Sequence, residues 1–227
     1  MIAEPTTRYA PAAPPPTNGV TNGVVIEASP RVLATGLSFE EFLEWEGEER
    51  HVEWVSRDII AMTSISLAHQ QIRRFILYLM ETWVSYHNLG EICDDPFVMH
   101  TGPDLPGRAP DILFLCNENM HRLRVNYLEG PADLVVEIVS PGNSRTDRED
   151  KLLEYERGGV KEYWMIDLPR REARFYELAD DSFYRVASLE NDVYHSKVLD
   201  GFHLNTNWLW QEPLPNKVQI VKEWKLI

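Results

Sequence analysis

The sequence predicts an α/β domain in which a mixed β-sheet is flanked by helices. Three observations carry this expectation. Apolar residues recur at helical spacing over about 66–87, a second helical stretch covers about 148–157, and short apolar segments of strand length lie between and after them. Strands interleaved with helices in this order require helices packed against the faces of a sheet.

At 227 residues the chain has the length for one such domain with additions. Residues 1–36 read as a disordered tail. They hold Pro5, Pro11, Pro14, Pro15, Pro16 and Pro30 and a doubled Thr-Asn-Gly-Val at 17–20 and 21–24, with little apolar surface to bury. A single domain is then expected over 37–227. Ser38 followed by Glu41 is a capping-box pattern opening a short helix through Phe42, Leu43 and Trp45. Residues 51–55, a turn at Ser56-Arg57-Asp58, and residues 59–62 form a predicted N-terminal hairpin.

Ile72, Phe75, Ile76, Leu79, Trp83 and Val84 make the apolar stripe of the first long helix, closed by Asn88-Leu89-Gly90. Strand candidates follow at 91–99, 111–116, 133–139, 162–166 and 173–178. The second helix sits between the third and fourth of these and is stopped by Gly158-Gly159. The stretch 181–227 alternates aromatic and polar residues around Tyr184, Tyr194, Phe202 and Trp208, and reads as further C-terminal strands or extended cover.

Hydrophobic residues make up 44% of the chain, enough for a core. No apolar run reaches the roughly 20 residues of a membrane helix, and no basic segment leads into an apolar one as in a secretory signal. Cys93 and Cys116 read as free thiols of a reducing compartment rather than a disulfide, so a cytoplasmic location is expected and no membrane partner. The net charge of −14 argues against tight, sequence-independent binding of duplex DNA, where phosphate neutralisation dominates affinity. It is compatible with a site that gathers carboxylates around a cation. A Gly-rich phosphate loop, zinc-type Cys/His spacing and a G-x-S-x-G elbow are all missing, which excludes kinases, dinucleotide enzymes, zincins and serine hydrolases.

The chemistry centres on Glu137. It interrupts Leu134-Val135-Val136-Glu137-Ile138-Val139, a run otherwise suited to a buried strand, and a carboxylate there must be paired, ligated or protonated. A strand-end charge or a buried salt bridge is the plainer alternative. Asp111, after Pro110, opens the preceding strand; alone it is ordinary turn chemistry, but with Glu137 on a neighbouring strand it makes an oxygen-rich site of the kind Mg²⁺ or Mn²⁺ prefers. Asp147, Lys151 and Tyr155 are four apart and line one helix face. Lys151 there can orient a water or meet charge building on a phosphate, or it can be half of a surface Asp–Lys pair. His69 and Arg73 share a face of the first long helix, with His69 a base, a substrate contact or a satisfied cap. Glu53 on the hairpin adds a carboxylate or is a solvated strand residue. Arg145 and Arg148 either meet phosphate with Lys151 or are helix-surface charge.

The run 131–141, then Asp147, Lys151, Tyr155 and Gly159-Val160-Lys161-Glu162-Tyr163-Trp164, resembles the Uma family of restriction endonucleases, within the PD-(D/E)XK nuclease superfamily. Pro110-Asp111 is similar to its first catalytic motif and His69 to a recurrent histidine, and the likeness covers about residues 38–205. The resemblance implies a restriction-endonuclease-like core, Asp111 and Glu137 as ligands of Mg²⁺ or Mn²⁺, and hydrolysis of DNA backbone phosphodiesters. The superfamily's usual lysine stands two residues after the strand acid, where this chain has Val139. Lys151, entering from the following helix, is implied to fill that gap, with Asp147, Tyr155 and Glu53 in support. A homodimer suits an enzyme that cuts both strands of a duplex. Two rival readings remain: a catalytically inactive interaction module retaining the fold, favoured if Lys151 points to solvent, and carboxylate-pair hydrolysis of another substrate such as a glycoside.

Overall fold

The computed structural model describes residues 31–49, 51–62, 65–139 and 145–227, with the backbone alone at 145–147. The first part of the chain runs β1 (Arg31–Ala34), α1 (Phe39–Leu43), β2 (Val52–Val55), β3 (Asp58–Ala61) and α2 (Leu67–His87). Next come β4 (Gly90–Asp94), β5 (Val98–His100), β6 (Gly107–Arg108), β7 (Ile112–Cys116), β8 (Tyr127–Glu129), β9 (Leu134–Val139) and α3 (Arg145–Gly158). The chain finishes with β10 (Glu162–Asp167), β11 (Glu172–Leu178), β12 (Tyr184–Val186), β13 (Val193–His195), β14 (His203–Asn205) and α4 (Lys217–Glu223).

The central sheet has the order β12-β11-β10-β9-β7-β4. β9 and β10 are parallel across the α3 crossover, and the other neighbours are antiparallel, so the sheet is mixed as expected. β9 is buried on both faces, which is why it reads as a continuous apolar run. Leu134, Val136 and Ile138 pack with Ile76, Leu79 and Met80 of α2, whereas Val135 and Val139 pack with Leu113 and Tyr155 on the α3 side. Strand alternation therefore turns Glu137 toward α3.

Local signals explain the element ends. Ser38 Oγ accepts from the Glu41 N–H while the Glu41 carboxylate accepts from the Ser38 N–H, the reciprocal pair the sequence predicted. Ser56 and Arg57 both take positive φ (51° and 70°), as a two-residue hairpin loop requires. Asn88 ends α2 in the left-handed region, with φ 52°.

Four features depart from the sequence reading. Residues 31–34, inside the expected tail, form β1 against β3, and residues 1–30 lie outside the described residues. The predicted hairpin belongs to a second sheet, β1-β3-β2-β6-β5-β8, with its own apolar cluster of Phe39, Phe42, Trp54 and Ile59. The single strand expected over 91–99 divides: β4 closes one edge of the central sheet, and β5 lies in the other sheet. Pro96 lacks the N–H that an uninterrupted ladder needs. Finally, the C-terminal stretch ends in α4, whose Ile220 and Val221 enter the α2-side core while Trp224 stacks edge-on against Trp83. Seven residues, capped by Asn216, are too few to declare a helical period.

Candidate active site

Three neighbouring strands present acids at one level of the central sheet. β7 and β9 pair with Ile112 opposite Val136, and one further step along this register sets Asp111 opposite Glu137. β4 and β7 pair with Asp94 opposite Ile112, and the Asp95 N–H donates to the Asp111 carbonyl at 3.3 Å. Asp95, Asp111 and Glu137 thus follow one another across the sheet, with strand axes about 4.8 Å apart.

Asp111 is held on two sides. Its Oδ2 accepts from the Ile138 N–H at 2.7 Å, and His69 Nε2, from the first turn of α2, lies 3.1 Å from Oδ1. His69 is buried and its Nδ1 has no hydrogen-bond partner among the described residues. Its position is set by the α2 cap, since the His69 N–H donates to Ser66 Oγ at 3.1 Å.

Glu137 Oε1 accepts from Lys151 Nζ at 3.1 Å and from the Tyr155 hydroxyl at 2.6 Å, both on α3. Spacing of four residues brings the two donors to one helix face, as the sequence suggested. Burial raises the Glu137 carboxyl to about 7; Lys151 opposes this, while Asp111 and Glu53 add to it. Burial, and then the neighbouring Glu137 charge, lift the Tyr155 phenol well above its ordinary range. Lys151 is only 4% exposed, so the solvent-facing lysine that would favour an inactive module is not what this fold contains. Val139, in the superfamily's usual lysine position, is spent on the core beside Tyr155.

Glu53 is no solvated strand residue. It is 3% exposed, and its Oε1 lies 3.2 Å from Lys151 Nζ. Burial opposes its ionisation, yet Lys151 and Arg108 outweigh burial and hold it at about 2. Sequence reasoning missed Arg108. Its guanidinium donates to Glu53 Oε2 at 2.8 Å and forks onto Glu154 of α3 at 2.8 and 3.0 Å. The signal available was an arginine within the small-residue run Gly107-Arg108-Ala109-Pro110 just before Asp111. Gly107 itself permits close packing, because a Cβ there would meet the Phe39 ring at 2.8 Å.

A cleft opens over these groups, lined by His51, His69, Asp95, Asp111, Glu137 and Lys151. His51 and Asp95 were also missed. Of the other predicted residues, Arg73 donates to Asp95 at 3.1 Å and Arg148 lies 3.7 Å from Asp167. Asp147 and Arg145 occur on α3, but their side chains lie outside the described residues. Cys93 and Cys116 are both free. Among the described residues no three His, Cys, Asp or Glu side chains gather to hold a metal, so the oxygen donors on offer are the Asp111 and Glu137 carboxylates.

A family model described as "Putative restriction endonuclease", Uma2, matches residues 39–207. The chain belongs to the Uma2 family. The match runs from α1 to the short helical turn after β14, leaving out β1 and α4, and includes every cleft residue named above. Among solved structures, this Uma2 chain is similar to "a putative nuclease belonging to DUF820" from Anabaena variabilis ATCC 29413, with a TM-score of 0.66 at 18% identity. The likeness covers 77% of this chain and 98% of that one and establishes the nuclease-like fold. No curated protein matches the sequence. Among the described residues no helix is long and apolar enough to cross a membrane.

Proposed function

We propose that this Uma2 chain is a divalent-metal-dependent endonuclease that hydrolyses DNA phosphodiester bonds. The observation that carries the reading is Lys151 Nζ at 3.1 Å from Glu137 Oε1, an ammonium group delivered by a helix to the place where Val139 leaves the strand without one. Asp111 and Glu137 would hold Mg²⁺ or Mn²⁺. The donor set fits, because Mg²⁺ is commonly bound through one or two carboxylates with substrate phosphate and water completing its shell. Glu137 Oε2 accepts no hydrogen bond among the described residues, and the burial and neighbouring acids that raise the pKa of this carboxyl are what a bound cation would offset. When bound, such an ion polarises the phosphoryl oxygen and acidifies water.

The chain's own groups do the rest. The Ile138 N–H and His69 orient Asp111, and Tyr155 orients Glu137. Lys151, fixed between Glu137 and Glu53, meets the negative charge that develops on the phosphate and aligns the attacking water. Preorganised charges of this kind need no rearrangement at the moment of reaction.

The test is cleavage of single- and double-stranded DNA with Mg²⁺ or Mn²⁺ by the wild type, Glu137→Ala and Lys151→Ala. Metal-dependent cleavage by the wild type that disappears in both folded variants supports the reading. No cleavage, together with no metal binding by calorimetry, refutes it in favour of the inactive module.

A further inference from the structure

Resting on the nuclease reading, we propose that His51, held by Asp95, is a catalytic residue of this site: it donates the proton that the leaving oxygen of the phosphodiester requires. The geometry begins with the row of acids. Asp95 stands next to Asp111 across the β4–β7 pair, one strand further from Glu137, and both Asp95 and His51 line the same cleft. His51 Nε2 lies 2.7 Å from Asp95 Oδ1, and Arg73 Nη1 braces the other oxygen at 3.1 Å. His51 Nδ1 takes no hydrogen bond among the described residues and is the ring nitrogen left for a ligand.

The cleft's other groups do not serve. Lys151 is buried between two carboxylates, and His69 is buried against Asp111. His51 has a side chain 30% exposed and is therefore the accessible acid of the cleft. The surrounding charges suit that task. The hydrogen bond that His51 donates to Asp95 raises the pKa of His51, burial opposes the rise, the Asp95 and Glu53 charges add to it, and Arg73 subtracts from it. Asp111, just before β7, and Glu137, Lys151 and His69, on β9, α3 and α2, face the same cleft.

The step balances. Water oxygen bonds to phosphorus and releases one of its protons to solvent, the bond from phosphorus to the leaving oxygen breaks with its electron pair, and that oxygen takes the Nδ1 proton. Neutral His51 regains a proton from solvent. Activity then requires protonated His51 and falls as pH rises through its pKa.

The experiment compares the wild type, His51→Gln and Asp95→Asn with Mn²⁺ on duplex DNA and on thymidine 5′-(p-nitrophenyl phosphate), whose leaving group departs without a proton. His51→Gln is expected to lower kcat on DNA by about 100-fold or more, the ordinary worth of a general acid, while the nitrophenyl ester loses only a small fraction of that. The alkaline limb of the DNA profile should vanish in His51→Gln and move to lower pH in Asp95→Asn. Equal losses on both substrates would make His51 a phosphate contact and overturn the proposal, as would no loss on either. A wild type that cleaves neither substrate refutes the nuclease reading itself. That outcome differs from an active wild type indifferent to His51.

Discussion

Replacing Glu137 by glutamine should stabilise the protein at alkaline pH. The folded environment raises this carboxyl from its ordinary 4.5 to about 7, chiefly by burial, with the Asp111 and Glu53 charges adding to the effect. A group whose folded pKa is raised binds its proton more tightly in the native state, so it stabilises the fold below pH 4.5. That contribution is lost as pH climbs through about 7. At roughly 1.4 kcal/mol per pKa unit, the loss across this window is on the order of 3 kcal/mol. Glutamine keeps an oxygen for Lys151 and Tyr155 and has nothing to ionise. Urea unfolding in the presence of a chelator, at pH 5 and pH 8, measures the difference. The wild type should lose stability relative to Glu137→Gln between these pH values, and the variant should be the more stable at pH 8. Parallel pH dependences of the two proteins, or a variant less stable at pH 8, would refute the assignment of Glu137 as a carboxyl whose ionisation is opposed by burial.

Other outcomes follow from the same contacts. Arg108→Met leaves Glu53 and Glu154 without their guanidinium and should cost about 3–5 kcal/mol in urea unfolding, as removal of one partner from a buried ion pair does. Leu79→Ala, at a fully buried position of α2, should cost about 2–5 kcal/mol with little change in DNA cleavage per folded molecule. Gly90→Ala should unfold the edge of the central sheet, since a Cβ there would lie 2.0 Å from the Leu115 carbonyl oxygen; hydrogen exchange of β4 reads this directly. Ser38→Ala should remove the α1 cap at a cost of about 1 kcal/mol, seen as a lowered midpoint of thermal unfolding.

Much of the central sheet was legible because its signals are local. The stripe Ile72 to Val84, the apolar run around Glu137 and the Gly158-Gly159 stop each speak for themselves within a few residues. Asp111 and Glu137 could be paired in advance, since each sits at a marked place on its strand. Lys151 could be expected from its helix, but its reach to Glu53 could not. That contact joins residues almost a hundred positions apart in sequence, and nothing near Glu53 announces that β2 pairs with β6 or packs toward α3. The same applies to Arg108, whose neighbours are small and whose partners come from two distant elements. His51 and Asp95 escaped notice because a lone histidine and a turn aspartate are ordinary; only the split of β4 from β5 brings them together. Beyond its hairpin the second sheet was invisible for a related reason, as strands of two to four residues leave no period to detect.

The ion network from Glu53 through Arg108 to Glu154 and Lys151 also bears on how such a site can be inherited. Its members are scattered over residues 53–154, two from one sheet and two from the helix lying against the other. A recombination junction placed between Glu53 and Arg108 would join a carboxylate selected against one guanidinium to a sequence selected without it. Chimeras between distant relatives should therefore stay active when the junction lies outside this interval and lose activity when it lies inside. The hairpin, which looks like a decoration at the edge of the chain, is bound to travel with the nuclease core.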